Sequence, residues 1–379
     1  SSSSSSSSSN DTMSLFTPLT GIIGGSFIGL SASSLLVLNG DVLGFSGIMS
    51  SVGLHPSDAL TSSRSHWKLV WLSTFMLTVN FYVNHVEDAI HDTRLETSGE
   101  VPIASTVAHL LGGALVGLGT KLSNGCTSGH GVCGLARKSP RSLVAVPTFM
   151  IFSMMTAAAI TNGNMPWAEY TKFLRTEALP HYSKLMGTLA TASVVSLGLL
   201  RQTTEEPLPQ HQRKVWGAAV SAVLAALGLV VSGMTQKSKV NDFLDVSALG
   251  RPGGVDPTLA TVMGAAMAFS WLGYQFVPGW AYSKQFLRRS RTSIVGDQFS
   301  VPTSTTIDAE LVTGAALFGI GWGLTGLCPG PALYQAAAGM SDVIIAWFPA
   351  FLAGSWAGTK IKEYIAERKE QEAMDAYNK

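Results

Sequence analysis

Charged residues are scarce in this chain of 379 residues. Only 13% of them are Asp, Glu, Lys or Arg, where soluble domains usually carry about 25%. The formal net charge is +1, so there is no excess of positive charge with which to bind a polyanion. Three cysteines are too few for a disulfide scaffold. These shortages argue against a soluble enzyme, a nucleic-acid-binding protein and a disordered protein.

Apolar residues and glycine are abundant instead. The chain is 46% hydrophobic, contains 39 glycines and has a mean hydropathy of +0.28. Small residues let helices approach closely in lipid, and the spacings Gly113-x-x-x-Gly117 and Gly319-x-x-x-Gly323 favour helix-packing faces over ligand contacts. We therefore predict an all-α, polytopic protein of the cell membrane, embedded in the lipid bilayer and without a nucleic-acid partner.

Nine segments approach the roughly 20 mostly apolar residues that a membrane-spanning helix needs. They are 19–38, 67–84, 105–122, 142–162, 184–200, 214–234, 257–277, 308–325 and 342–360. Four more apolar stretches, 42–52, 125–134, 241–249 and 327–333, are too short to cross or too rich in Gly and Pro for an unbroken helix. Broken backbone is tolerated at membrane depth only where protein buries it or it lines a cavity. We predict that these stretches are re-entrant segments around a pathway.

The chain repeats itself. Residues 112–126 read GGALVGLGTKLSNGC and residues 314–328 read GAALFGIGWGLTGLC. Aligned at an offset of 202 (314 minus 112), they are identical at seven of 15 positions, including Gly112/Gly314 and Cys126/Cys328. Five predicted spans precede the second copy, and an odd number of crossings inverts it. Inverted repeats with broken helices near the midplane are typical of transporters.

This count of spans predicts the domain organisation and the topology. Residues 1–18 form a disordered, Ser-rich tail, 19–183 the first membrane repeat, 184–213 a joining helix and loop, 214–360 the second repeat, and 361–379 a cytoplasmic tail. Nine crossings place most of the 25 Lys and Arg residues on one side of the membrane. Because cytoplasmic loops carry an excess of Lys and Arg, the N-terminus is expected outside and the C-terminus in the cytoplasm.

All three cysteines lie in two of the predicted re-entrant loops. Cys126 and Cys328 occupy equivalent positions of the repeat, and Cys133 follows Cys126 by seven residues. In an inverted repeat, equivalent positions approach each other near the middle of the bilayer. Two thiols would then face one narrow path.

Small polar side chains flank these thiols, and neither loop core contains Lys or Arg. The flanking residues are Asn124, Thr127, Ser128, His130 and Thr325. An anion could therefore be met by N–H, O–H and S–H donors without a full counter-charge, which suits transit because the ion must also leave. The sequence predicts that these residues and the cysteines line an anion pathway that needs no cofactor.

Other interpretations of the same residues stay open. A buried cysteine is often only a small apolar filler. Cys126 and Cys133 could form a redox or persulfide pair, which would make the protein an integral-membrane sulfurtransferase or thiol oxidoreductase. His130 with these two cysteines superficially resembles a metal set, but no clear fourth ligand is present, so we predict no metal. A membrane scaffold that transports nothing would have no need for broken helices.

Two motifs carry a resemblance to a known family. Residues 126–142, CTSGHGVCGLARKSPRS, resemble the signature loop of the YeeE/YedE sulfur-transport family, and residues 314–332, GAALFGIGWGLTGLCPGPA, resemble its second signature. Residues 29–49 and 241–246 are similar to its shorter segments. The resemblance covers most of residues 19–360, as if two parts that often occur as separate bacterial proteins were joined in one chain.

The resemblance implies uptake of thiosulfate through a narrow central pathway of an hourglass-shaped helical protein. In such proteins, cysteines along the path pass the ion on through S–H hydrogen bonds, a role that falls here on Cys126 and Cys328, with Cys133 inside the matched motif. Some relatives carry another cysteine in the first span, where this chain has only serines. A soluble sulfur carrier or sulfurtransferase on the cytoplasmic side is a further partner that the resemblance leaves open.

Overall fold

The computed structural model describes residues 16–62, 65–85, 103–162, 210–249, 254–277, 293 and 298–378. These residues are almost entirely helical. Their one pairing of extended backbone is an isolated bridge between Asp41 and Ser300. The all-α fold class predicted from the sequence is confirmed.

Each half of the chain contributes six helices to the described part of the fold. The first half has α1 (Pro18–Ser34), α2 (Phe45–Leu54), α3 (Pro56–Thr61), α4 (His66–His85), α5 (Ile103–Ser123) and α6 (Pro140–Thr161). The second half has α7 (Gln210–Ser232), α8 (Lys237–Leu244), α9 (Thr258–Tyr274), α10 (Ala309–Thr325), α11 (Pro329–Ala337) and α12 (Phe348–Tyr377). The shorter elements are π-helical turns at Leu35–Asn39, Thr127–Gly134 and Val343–Trp347 and a 3₁₀ turn at Val246–Ala248.

The predicted spans coincide with helices wherever the structure describes them. Only 184–200 lies outside the described residues. Within the described ranges, three segments are long and apolar enough to cross a membrane: Pro18–Asn39, Pro140–Thr161 and Arg213–Ser232. A fourth candidate is the pair α10 and α11, which is bent by 41° at its break. The chain is thus an all-α polytopic membrane protein, while the total of nine crossings stays a prediction.

The predicted re-entrant loops contain more helix than their glycines and prolines indicate. After Cys126, the chain forms the π-helical segment Thr127–Gly134. After Cys328, Pro329 begins α11. Proline is well suited to a first helical position, where its missing N–H would have no partner in any case. The break in each loop is therefore confined to the few residues before the second helical segment.

Helices α5 and α10, which carry the sequence repeat, pack against each other in antiparallel orientation. A Cβ atom built on Gly112 would lie 3.2 Å from the Gly321 carbonyl oxygen, and one on Gly119 would lie 2.6 Å from the Gly314 carbonyl oxygen. The contact is reciprocal, because Gly112 and Gly119 correspond to Gly314 and Gly321 in the repeat. Only glycine lets two backbones approach this closely.

The contacts of α5 and α10 with their outer neighbours, α12 and α6, correspond in the same way. Helix α5 packs on α12, where a Cβ on Gly117 would overlap the Phe351 carbonyl oxygen. Helix α10 packs on α6, where a Cβ on Gly319 would overlap the Phe149 carbonyl oxygen. At the offset of 202, Gly117 corresponds to Gly319 and Phe149 to Phe351. Helices α1 and α7 form a second crossing, with α9 packed on α1 and α4 packed on α7.

A buried aromatic cluster fixes the start of α2 beside the first cysteine loop. The Phe45 ring meets Trp71 edge-on at 5.0 Å between centroids, and Trp71 stacks on Phe75 at 5.3 Å. The Trp71 indole N–H donates to the Ser221 hydroxyl of α7 at 3.0 Å. Because buried aromatic pairs of this geometry stabilise one arrangement, the cluster holds the N-terminus of α2 in place.

Candidate functional site

The two cysteine loops have the same backbone course. Helix α5 is followed by Asn124 with φ +62°, and helix α10 is followed by Gly326 with φ +67°. Two residues later, Cys126 and Cys328 are both extended, with φ of −118° and −93°, and each directly precedes the next helical segment. A left-handed residue is a common way to end a helix. Each loop therefore presents one thiol at the start of a new helical segment.

Hydroxyl groups in the last turns of α5 and α10 stabilise these helix ends. Ser123 donates to the Gly119 carbonyl at 2.8 Å, and Thr325 donates to the Gly321 carbonyl at 3.0 Å. Thr325 is completely buried and also accepts from the Leu327 N–H at 3.3 Å. The predicted pathway residue Thr325 thus has its hydroxyl engaged inside the loop, where it fixes the backbone before Cys328.

The two loops meet at the Cys328 thiol. The Thr127 hydroxyl donates to Cys328 Sγ at 3.4 Å, although the two residues are 201 positions apart in the chain. Cys126 Sγ lies 3.2 Å from Ser128 Oγ, which also accepts from the Phe45 N–H at 3.2 Å. Cys126 is buried and Cys328 is half-buried. The structure therefore brings four of the predicted residues together and adds the N-terminus of α2 to them.

Cys133 faces a different neighbour. Its thiol donates to the Leu43 carbonyl oxygen at 3.6 Å and is buried. All three cysteines are free thiols. Cys126 and Cys133 are thus held by different partners, and their hydrogen bonds do not join them as a pair.

His130 holds the first loop against its surroundings. Its Nε2 lies 3.0 Å from the Ser123 carbonyl oxygen and its Nδ1 lies 3.0 Å from Ser142 Oγ. A neutral imidazole satisfies both contacts, donating from Nε2 and accepting at Nδ1. Within the described part of the chain, no group of three His, Cys, Asp or Glu residues could hold a metal ion.

Asn124 lies at the rim of the site rather than among the thiols. Its side chain is exposed, and its Oδ1 accepts from Lys362 Nζ at 2.6 Å. Its positive φ is a conformation that asparagine tolerates better than most residues. The geometry gives Asn124 a role in ending α5.

Two substitutions test this role. Asn124→Ala should destabilise the protein by about 1 kcal/mol relative to Asn124→Gly, since only glycine adopts a positive φ without strain. Both variants lose the same bond to Lys362, so that loss cancels in the comparison. Thermal unfolding of the purified proteins in detergent measures the difference, and a glycine variant less stable than the alanine variant would contradict this role.

Open space lies beside the junction of the loops. A Cβ atom built on Gly44, Gly47 or Gly129 would have no neighbouring atom within 4 Å. Gly44 directly precedes Phe45, and Gly129 directly follows Ser128. Two of these uncrowded positions are therefore next in sequence to members of the hydrogen-bonded group of Cys126, Ser128 and Phe45. Neither loop core, 125–134 or 327–333, contains Lys or Arg.

Sequence reasoning missed part of this site. The Phe45 N–H and the Leu43 carbonyl are backbone groups, and no residue pattern reveals their direction. It also missed a buried cluster of His109, Lys237 and Asp342. The available signal was three ionisable residues inside or next to apolar segments, which in membrane proteins are rare and often functional.

Comparisons with known proteins identify the family of the chain. Residues 89–156 match a family described as "Sulphur transport", and residues 214–371 match a family of unknown function. A "Probable transporter" of Xylella fastidiosa (strain Temecula1 / ATCC 700964) is 34% identical over 151 residues, which are 40% of this chain and 89% of that protein. Another "Probable transporter" of the same strain is 37% identical over 139 residues, 36% of this chain and 90% of that protein. Together with the two cysteine motifs, these matches show that the chain belongs to the YeeE/YedE-like family of sulfur transporters.

Proposed function

We propose that this protein imports thiosulfate, or a closely related sulfur oxyanion, across the cell membrane. The observation that carries the proposal is the bond between the halves, in which Thr127 of one loop donates to Cys328 of the other. The ion passes this junction intact, between Cys126 and Cys328, and no covalent bond forms. Open space at Gly44 and Gly129 adjoins the junction and supports a passage there.

The chemistry of the junction suits a soft, doubly negative ion. Thiols are weak donors with polarisable sulfur atoms, and a hydroxyl and a backbone N–H stand beside them. The start of α11 after Cys328 adds the partial positive charge of a helix N-terminus. Uncharged donors bind an anion less tightly than a lysine would, so the ion can also be released.

We also propose that the two halves, 19–183 and 214–360, are inverted repeats joined through 184–213. The reciprocal contacts of α5 with α10, and of their neighbours α12 and α6, support a twofold relation between the halves. Because α5 and α10 correspond to each other and run antiparallel, the axis must be perpendicular to them. Since both helices cross the membrane, with the N-terminus of the chain outside and its C-terminus in the cytoplasm, the axis lies in the membrane plane. A soluble sulfur acceptor on the cytoplasmic side would then receive the ion near α12.

Uptake by the purified protein tests the proposed function. In liposomes, the protein should accumulate labelled thiosulfate, and unlabelled thiosulfate should compete better than sulfate, which has no terminal sulfur. Empty liposomes are the control. No uptake above that of empty liposomes, or equal competition by sulfate, would contradict the proposal. Mass spectrometry of the same sample should show no added sulfur on Cys126 or Cys133, and such an adduct would favour a sulfurtransferase.

A further inference from the structure

Three ionisable side chains from three separate elements meet inside the helical bundle. His109 lies on α5, Lys237 begins α8, and Asp342 directly precedes the π-helical turn before α12. Lys237 Nζ lies 2.8 Å from His109 Nε2 and 3.1 Å from Asp342 Oδ2, and His109 Nε2 lies 3.1 Å from the same oxygen. We refer to these three residues as the ionic triad.

The ionic triad is deeply buried. The exposed fractions of His109, Lys237 and Asp342 are 0%, 4% and 5%. Burying charges is costly unless they are paired, and a membrane protein that retains ionisable groups inside its bundle commonly uses them to move ions or protons. Nothing in the thiosulfate junction itself requires the triad.

The elements that carry the triad also support the Cys328 loop. A Cβ built on Gly326, two residues before Cys328, would lie 3.3 Å from the Lys237 carbonyl oxygen. A Cβ on Gly112, one turn after His109, would lie 3.3 Å from Thr325 Oγ1 in the same loop. A shift of α8 or α5 at the triad is therefore transmitted directly to the backbone before Cys328.

The charge of the triad depends on His109. Lys237 and Asp342 compensate each other, so the triad is neutral when the imidazole is neutral and carries +1 when it is protonated. A neutral His109 accepts from the Lys237 ammonium at Nε2. A protonated Nε2 donates to Asp342 instead and repels Lys237, so protonation must change the contacts of α8.

Other charged groups near the triad are few among the described residues. On α8 and the turns after it they are Lys239, Asp242, Asp245 and Asp256, and Lys239 pairs with Asp256 at 3.6 Å. The π-helical turn and α11 contain no Asp, Glu, Lys, Arg or His. The remaining elements packed here also carry charged residues. These include Lys121 in the last turn of α5, Arg141 in the first turn of α6, Lys214 near the start of α7, Glu310 in the first turn of α10 and Lys360 in the first half of α12.

We propose that the ionic triad is a proton-binding site that couples proton movement to passage of the anion. This inference rests on the proposed function. A proton from the outside binds His109 and leaves a triad of charge +1 beside the loop of Cys328, where a dianion is then held more tightly. By thermodynamic linkage, the bound anion equally favours the protonated triad, so both enter together and both leave inside.

Two assays separate this inference from the proposed function. Exchange of labelled for unlabelled thiosulfate at equal pH needs only the pathway, whereas accumulation driven by an acidic exterior needs coupling. The parental protein should do both. His109→Gln keeps an amide near the position of Nε2 but binds no proton, so it should exchange thiosulfate and lose accumulation driven by the pH gradient. Retained exchange also shows that the variant is folded.

A direct measurement of protons completes the test. Thiosulfate added to the parental protein in weakly buffered detergent solution should cause net uptake of protons, up to one per chain, because linkage makes the bound anion favour the protonated triad. His109→Gln should show none. Lys360→Gln removes an exposed charge of α12 outside the triad and should behave like the parent. Exchange without proton uptake in the parent, or accumulation by His109→Gln equal to the parent, would overturn the inference and leave the proposed function intact. Absence of exchange in the parent would overturn both.

Discussion

Replacement of Cys328 by alanine should reduce thiosulfate uptake about tenfold or more. A hydrogen bond to a charged group contributes about 1.5–3 kcal/mol, and about 1.4 kcal/mol corresponds to a factor of ten. Alanine removes the donor at the junction and also leaves the Thr127 hydroxyl without its acceptor. Cys126→Ala should have a similar effect, because the thiol beside Ser128 is its counterpart in the first loop.

Serine variants and Cys133 make the test specific. Cys126→Ser and Cys328→Ser keep an O–H donor but lose the long, polarisable thiol, so each should transport several-fold less than the parent. Cys133→Ala is the matched control, since its thiol is directed to the Leu43 carbonyl rather than to the junction. Initial uptake rates into liposomes at equal protein content measure all of these. If both serine variants transport like the parent, or if Cys133→Ala is as inactive as Cys328→Ala, the relay between the two loops is wrong.

Those parts of the site could be predicted in which the type of a residue and its position in the repeat already indicate its structural role. Two cysteines at equivalent positions of a repeat predicted a junction, and the bond from Thr127 to Cys328 supports it. Glycine spacings predicted close helix crossings, because glycines in membrane helices let neighbouring backbones approach. The structure agrees: α12 approaches α5 at Gly117, and α6 approaches α10 at Gly319.

Two features of the site could not be predicted from the sequence: where a side chain points, and which residues far apart in the chain meet. Asn124, His130 and Thr325 were predicted as polar lining from their composition, but a sequence does not show where a hydroxyl or an imidazole points. The structure directs Thr325 and His130 to backbone carbonyls of the helices that lead into their loops, and Asn124 to Lys362. The ionic triad was missed because Lys237 is 128 residues from His109 and 105 from Asp342. Each of the three stands out as an ionisable residue in or next to an apolar segment, but nothing in the sequence shows that they meet.

Gly117→Leu and Gly319→Leu should each prevent stable folding. A side chain at either position would overlap the backbone of the neighbouring helix, at Phe351 and Phe149 respectively, and backbone cannot move aside as a flexible side chain does. Overpacking usually destabilises by about 1–3 kcal/mol and by more where the neighbour cannot adjust. The yield of monodisperse protein after extraction should fall to the same extent in both variants, because the residues around Gly117 and Gly319 correspond at the repeat offset of 202.

Gly264→Leu on α9 is the matched control for these variants. A Cβ at Gly264 would have no neighbour within 4 Å, and the position is exposed, so the leucine would face lipid. Replacing a glycine inside a helix also removes a penalty of about 1 kcal/mol, which makes this variant as stable as the parent or more so. Size-exclusion chromatography after graded heating in detergent compares all three. If Gly264→Leu loses as much monodisperse protein as the other two variants, a leucine side chain is destabilising at any of these helix positions and the close crossings are not the cause. A large loss for Gly117→Leu with none for Gly319→Leu would contradict the equivalence of the two halves on which the junction of Cys126 and Cys328 depends.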